Sequence, residues 1–181
     1  MRLWHYKLIQ YLPNSQLVAQ WRELNSIFKN QNKHILINYV YEYTKFDLKF
    51  YTNLVLKEME KRKIKIKSTD NYNEYFKGIV DPSLLDYYPF IYHHTNRYLL
   101  QCFYNLQEKY DRGQKDFSDE QYARLVAFMK HEGLLHDPEV KDILKKHLNC
   151  SSQNLITMRP IYKRDEPKAF DKVMEFIERR K

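Results

Sequence analysis

The sequence contains little cysteine and little glycine, and both shortages exclude classes of protein. Two cysteines, Cys102 and Cys150, occur among 181 residues. They are too few for a disulfide framework, and they lack the paired spacing of a structural zinc site. We therefore expect reduced thiols and a cytoplasmic protein. Glycine occurs three times, and no glycine-rich loop that could hold a nucleotide phosphate is present, which argues against ATP chemistry.

Long apolar runs and metal-binding motifs are also missing. No run of about 18 apolar residues occurs, and the segment MRLWHYKLIQYLP interrupts its apolar residues with His5, Lys7 and Gln10, unlike a signal peptide. We therefore expect a soluble, intracellular protein with no membrane-spanning segment. The adjacent His93 and His94 would diverge by about 100° on a helix, and no HExxH motif or carboxylate pair is present. We expect neither a metal nor another cofactor.

Positive charge and aromatic residues are abundant. Lysine and arginine number 31 against 23 aspartates and glutamates, which gives a net charge of +8 and a pI of about 9.3. This balance favours an anionic partner, either nucleic acid or an acidic membrane surface. Aromatic residues make up 15% of the chain and include 16 tyrosines. Their rings could stack on bases, or they could simply form the core beneath solvated lysines.

Apolar residues repeat with helical spacing, which predicts an all-α fold. The first helix should begin near Asn14 or Ser15, because both are good N-cap residues. A second helix is predicted through DLKFYTNLVLKEMEKRK. The predicted buried stripes are Leu17, Trp21, Leu24 and Phe28 in the first helix and Leu48, Tyr51, Val55 and Met59 in the second. The basic residues Lys57, Lys61, Arg62 and Lys63 are predicted to lie on the exposed side of the second helix.

The rest of the chain predicts further helices after a long connection. Residues 67–89 lack periodicity and contain Asp, Asn, Gly and Pro, so we expect an irregular segment there. FIYHHTNRYLLQCFYNLQEKY predicts a third helix. A capping box at Ser118 and Gln121 predicts a fourth helix that stops at Gly133, and two more are predicted after Asp137 and after Pro167. We expect a functional helical domain over residues 1–112 and a helical extension over residues 113–181.

Two charged residues of the first helix lie away from its apolar stripe. Arg22 and Glu23 each point about 130° from the stripe, on opposite sides of it. Between them the polar face carries the small residues Ala19 and Ser26, which would let another backbone approach closely. A solvated helix face is the alternative interpretation.

The N-terminal part resembles the phage-type pyrimidine-dimer DNA glycosylases, which also cleave abasic sites. That family carries an L-x-A-x-[aromatic]-R-E-L-x-x-[V/I]-F helix followed by K-H. The matching residues here are Leu17, Ala19, Trp21, Arg22, Glu23, Leu24, Ile27 and Phe28, then Lys33 and His34. EMEKRKIKI and FIYHHTNRYLLQ resemble two later segments of the family, which extends the resemblance over about the first 110 residues.

The resemblance implies a mechanism that needs no cofactor. A free N-terminal amine attacks the sugar C1′ of a damaged nucleotide, the base leaves, a Schiff base forms, and β-elimination cuts the strand. The catalytic residues would be Met1, through its α-amine, and Glu23. The family keeps a small residue after the initiator methionine, whereas Arg2 is large here and should prevent removal of Met1.

The resemblance also implies which residues bind DNA. They would be Arg2, Arg22, Lys33, His34 and His93. The expected partner is double-stranded DNA that contains damaged bases or abasic sites, bound by a monomer. The segment between His34 and EMEKRK is shorter than in the phage enzyme, so the resemblance does not determine which lesion is recognised.

Two other functions fit the same residues. The first is a helical nucleic-acid-binding protein of the same fold without catalysis. The second is a helical interaction module whose positive charge serves only solubility. Only the enzyme predicts covalent trapping on abasic DNA, and only the interaction module predicts no DNA affinity at modest salt.

Overall fold

The computed structural model describes residues 2–31, 34–80 and 87–135. These residues form helices, turns and irregular segments and contain no β-strand, so the predicted all-α fold is confirmed. The α-helices are α1 (Asn14–Asn30), α2 (Lys45–Lys61), α3 (Asp70–Tyr75), α4 (Asn96–Asp111) and α5 (Asp119–His131), and two 3₁₀-helices span Tyr6–Tyr11 and Asn38–Glu42.

The chain divides into two compact units between Thr95 and Asn96. The first unit contains both 3₁₀-helices and α1 to α3, and the second contains α4 and α5. The predicted limit of the functional domain at residue 112 stays a prediction. No helix in the described part of the chain is long and apolar enough to cross a membrane.

In the first unit, α1 packs against α2 and α3. All eight residues of the two predicted apolar stripes are buried, which confirms both helices and their orientation. The predicted start of the helix near Asn14 is confirmed, but the N-cap residue is Pro13, which can make no side-chain hydrogen bond there. Its carbonyl oxygen accepts the first helical hydrogen bond from Leu17 N, at 3.0 Å.

Arg62 does not lie on a solvated face, contrary to the sequence prediction. Its guanidinium donates to the carbonyl oxygens of Gln10 at 2.8 Å and Leu12 at 2.5 Å and to Asn14 Oδ1 at 3.0 Å. Its Nε lies 2.7 Å from Glu58 Oε1. Arg62 thus joins the end of α2 to the start of α1, because the five N–H donors of a guanidinium can reach several acceptors at once.

The segment from residue 67 to residue 89 is less irregular than predicted, since it contains α3. Residues 81–86 lie outside the described part of the chain. The ring of Phe28 on α1 makes edge contacts with Tyr72 and Phe76, at centroid distances of 6.2 and 5.2 Å. These contacts explain why a polar hexapeptide becomes helical: tertiary packing supplies the stability that its short length cannot.

The third predicted helix begins six residues later than the sequence suggests, at Asn96 instead of Phe90. Phe90 is fully buried with a φ of +58°, a value that α-helices do not allow. Asp47 fixes this turn, because its Oδ1 accepts hydrogen bonds from Phe90 N at 3.2 Å and from the Tyr87 hydroxyl at 2.9 Å. His93 and His94 therefore lie in a turn before α4, and the prediction that they are helical is wrong.

In the second unit, the predicted cap of the fourth helix is confirmed. Ser118 Oγ accepts a hydrogen bond from Gln121 N at 3.2 Å and begins α5. Gly133 follows the helix with a φ of +67°, which a residue with a side chain adopts only at a cost. The helices predicted after Asp137 and after Pro167 lie outside the described residues.

Candidate active site

Glu23 on α1 is half-buried and contacts the N-terminal segment. Its Oε2 accepts a hydrogen bond from Arg2 N at 3.2 Å and a longer one from Gln20 Nε2 at 3.4 Å. These two residues of the sequence prediction, Arg2 and Glu23, are 21 positions apart, and the structure brings them into direct contact. The carboxylate on α1 thus lies next to the first residues of the N-terminal segment.

Gln20 holds the N-terminal segment and Glu23 together, and sequence reasoning missed it. The side chain is buried, and its Oε1 accepts hydrogen bonds from Trp4 N at 2.8 Å and from the Tyr51 hydroxyl at 3.1 Å. Its amide nitrogen then faces Glu23. A signal was present: Gln20 lies beside the apolar stripe of α1, where a polar residue needs a buried partner.

Burial raises the pKa of the Glu23 carboxyl above its ordinary value of 4.5. The hydrogen bond from Arg2 N and the electrostatic interactions with the N-terminal amine and the His34 ring lower it, but they do not outweigh desolvation. A carboxylate with a raised pKa is a stronger base than an exposed glutamate. This is the behaviour expected of a group that moves protons.

A histidine pair holds the other side of the N-terminal segment. Because His5 Nδ1 accepts from Lys7 N at 3.2 Å, its Nε2 carries the proton and donates to the carbonyl oxygen of His94 at 2.8 Å. His94 Nδ1 accepts from Tyr6 N at 3.2 Å, and its Nε2 lies 2.8 Å from the Tyr39 hydroxyl. Burial lowers the pKa of His94 well below its usual range, so the ring is neutral.

The predicted DNA-binding residues of the first unit differ in exposure. Arg22 is exposed, and its guanidinium makes no hydrogen bond or ion pair with the described residues. Arg2 is half-buried, and its Nη1 is shielded from solvent without a hydrogen-bond partner in the described ranges. A shielded, unpaired guanidinium nitrogen is costly. Met1 and Lys33 lie outside the described residues.

The two predicted histidines are both exposed. His34 Nδ1 accepts from Leu36 N at 3.2 Å, so the proton of the neutral ring is on Nε2. His93 stacks on Tyr39 with a centroid distance of 4.6 Å, and its Nδ1 lies 3.0 Å from the Tyr43 hydroxyl. Within the part of the chain that the structure describes, no three potential ligands are grouped to hold a metal.

Fold and site together define an all-helical protein that holds a carboxylate against its own N-terminal segment. The family model described as pyrimidine dimer DNA glycosylase matches residues 1–72. The resemblance predicted from the sequence is therefore confirmed over this range, which contains Glu23 and EMEKRKIKI, whereas FIYHHTNRYLLQ lies beyond the match. This match supports a role as a glycosylase in DNA repair. Comparison with curated proteins and with solved structures finds no match.

Replacement of Gln20 by methionine is expected to lower both stability and cleavage. Methionine keeps the side-chain length but leaves the buried Trp4 N without an acceptor, which costs about 1–3 kcal/mol of unfolding free energy. Loss of the contact with Glu23 should lower kcat for cleavage of the base–sugar bond in damaged DNA more than it raises KM, since the carboxylate is no longer held in place. Urea unfolding and steady-state kinetics measure the two effects. An unchanged kcat in a folded variant would contradict this positioning role.

Proposed function

We propose that the protein is a DNA glycosylase with abasic-site lyase activity, and that the Met1 α-amine is its nucleophile. Its substrate would be double-stranded DNA with a damaged base or an abasic site, bound by one copy of the chain. The observation that supports this proposal best is the 3.2 Å contact between Arg2 N and Glu23 Oε2.

Covalent geometry links this contact to the proposed nucleophile. Three bonds separate the α-amine of Met1 from Arg2 N, a path of no more than about 4.3 Å whatever the conformation of Met1. Since Arg2 N lies 3.2 Å from Glu23 Oε2, the α-amine is no more than about 7.5 Å from that oxygen. The hydrogen bonds of Trp4 N and Tyr6 N keep the following residues in place.

The ionisation of both groups suits the reaction. An α-amine has an ordinary pKa of about 8, so part of it is neutral and nucleophilic near pH 7, unlike a lysine. The amine nitrogen bonds to C1′ as the C1′–base bond breaks, and the departing base takes up a proton. Loss of a proton from the nitrogen and opening of the sugar ring give the imine. The Glu23 carboxylate would stabilise the cationic sugar and the protonated imine and would accept the protons that are released.

Strand cleavage would follow from the imine. Removal of a C2′ proton, for which Glu23 is the base at hand, breaks the C3′–O bond and releases the 3′ fragment with its phosphate. Arg2 and Arg22 would hold the phosphates on either side, because a guanidinium can donate two parallel hydrogen bonds to a phosphate. A nucleic-acid-binding protein without catalysis remains the second candidate, since exposed Arg22 supports phosphate binding in either case.

Borohydride trapping tests the proposal. Incubation with duplex DNA that contains one abasic site, in the presence of borohydride, is expected to give a covalent protein–DNA adduct, because borohydride reduces the imine to a stable amine. The adduct is measured as a band of lower mobility in a denaturing gel. An undamaged duplex of the same sequence is the control. DNA binding without an adduct would support the non-catalytic candidate instead.

A further inference from the structure

Three lysines outside the candidate active site share one surface, which we call the lysine row: Lys63, Lys65 and Lys67. They lie in the segment that joins α2 to α3. All three are exposed, whereas Ile64 and Ile66 between them are half-buried. Lys63 closes the turn after α2 with a φ of +56°, and exposed and half-buried side chains alternate from there to Lys67.

Both ends of this segment are fixed to α1. At one end Arg62 donates to Leu12 O and Asn14 Oδ1, at the start of α1. At the other end Asn71 Nδ2 lies 3.4 Å from Asn25 Oδ1, near the middle of α1. The row therefore runs alongside the N-terminal half of the same helix that carries Glu23.

The order of residues around α1 places Arg22 between the row and Glu23. With 100° per residue, Asn14 and Asn25 lie within about 20° of each other, and they mark the side where the row runs. Arg22 lies about 60–80° from them and Glu23 about 160–180°, in the same direction of rotation. One continuous face therefore leads from the carboxylate past the exposed Arg22 to the lysine row.

The charge of the row is not neutralised by the described residues. The ammonium groups of Lys63, Lys65 and Lys67 make no ion pair or hydrogen bond with them. Glu60 and Asp70 are exposed just beyond the two ends of the row and reduce its net charge without pairing with it. Arg62 does not contribute, because its guanidinium is already used between α1 and α2.

We infer that the lysine row binds the phosphate backbone of the DNA outside the lesion. DNA carries a negative charge at every nucleotide, so three exposed ammonium groups within five residues have several phosphates within reach. A lysine is a point charge that does not read base edges, so this contact is independent of sequence. The inference rests on the proposed function because it takes DNA as the partner, but it does not require catalysis.

The test measures binding to an undamaged duplex over a range of salt concentrations. Lys63→Gln, Lys65→Gln and Lys67→Gln are combined in one variant, and Lys57→Gln, Lys115→Gln and Lys130→Gln in a control that loses the same charge from exposed positions elsewhere. Each lost phosphate contact should reduce the slope of log K against log salt by about 0.9. The slope of the row variant is therefore expected to be smaller by about 2.7. Arg22→Ala removes one proposed phosphate contact and serves as the reference, with an expected reduction of the slope by about 0.9.

Three results would overturn the inference. Equal slopes for the row variant and the unchanged protein would mean that the row is only a solvated surface. Equal losses in the row and control variants would mean that net charge alone matters. Loss of binding to phosphatidylserine vesicles with an unchanged DNA slope would assign the row to a membrane. Because undamaged DNA is used, none of these outcomes depends on whether the protein forms an adduct with abasic DNA.

Discussion

Replacement of Glu23 by glutamine is expected to lower cleavage of abasic DNA by about 100- to 10,000-fold, the range typical for loss of a group that transfers protons. Glutamine has the same shape, and its side-chain oxygen can still accept the hydrogen bonds from Arg2 N and Gln20 Nε2. The substitution removes negative charge that is needed in the transition state, not a contact with DNA in the ground state. DNA affinity should therefore change little.

The same substitution should raise thermal stability near neutral pH. Burial raises the pKa of Glu23 in the folded protein above its value in the unfolded chain. The folded state then binds more protons between the two pKa values, and stability falls as pH rises through this interval. Above it the charged carboxylate destabilises the fold. Glutamine removes that effect, so the Tm measured at pH 7 should increase.

The exposed Glu42 supplies the matched control for both measurements. Glu42→Gln makes the same change of charge and should leave the cleavage rate and the Tm close to those of the unchanged protein. Single-turnover kinetics on abasic duplex and thermal unfolding give the two values. Normal cleavage by the Glu23→Gln protein would exclude Glu23 as the proton-transferring group, and a lower Tm would contradict the destabilising effect of its burial.

Acetylation of the Met1 α-amine is expected to abolish the lyase reaction, with no adduct after borohydride treatment. Acetylation removes the nucleophilic lone pair. The fold should be spared, because Arg2 N, Trp4 N and Tyr6 N keep their hydrogen-bond acceptors. Intact-mass measurement of the unmodified protein should show Met1 retained. The adduct should map to the N-terminal peptide.

Added residues before Met1 provide an independent version of this experiment. Each residue moves the amine by up to about 3.5 Å, whereas a reactive geometry requires the two atoms to lie about 3–3.5 Å apart. The protein with added N-terminal residues should therefore bind abasic DNA and give no adduct. If the acetylated protein still forms one, the nucleophile is a side-chain amine such as Lys7 or Lys33, and the proposal for Met1 fails while that for Glu23 can stand.

Local periodicity in the sequence determined α1 and α2. A helix repeats every 3.6 residues, so the spacing of Leu17, Trp21, Leu24 and Phe28 is enough to place α1 and to predict which side is buried. The same rule places Arg22 and Glu23 off that side. Family resemblance over the matched range, residues 1–72, added the interpretation of these two residues as functional.

The contacts of the charged groups were decided by tertiary structure. Contact between Arg2 N and Glu23 spans 21 positions, and contact between Arg62 and Leu12 spans 50. Neither follows from periodicity, because a hydrogen bond between distant residues depends on how helices pack and not on local spacing. The turn that separates exposed His93 from buried His94 is fixed in the same way, by Asp47 at a distance of 43 positions from Phe90. Sequence therefore determined which faces are apolar, whereas packing determined which polar atoms meet.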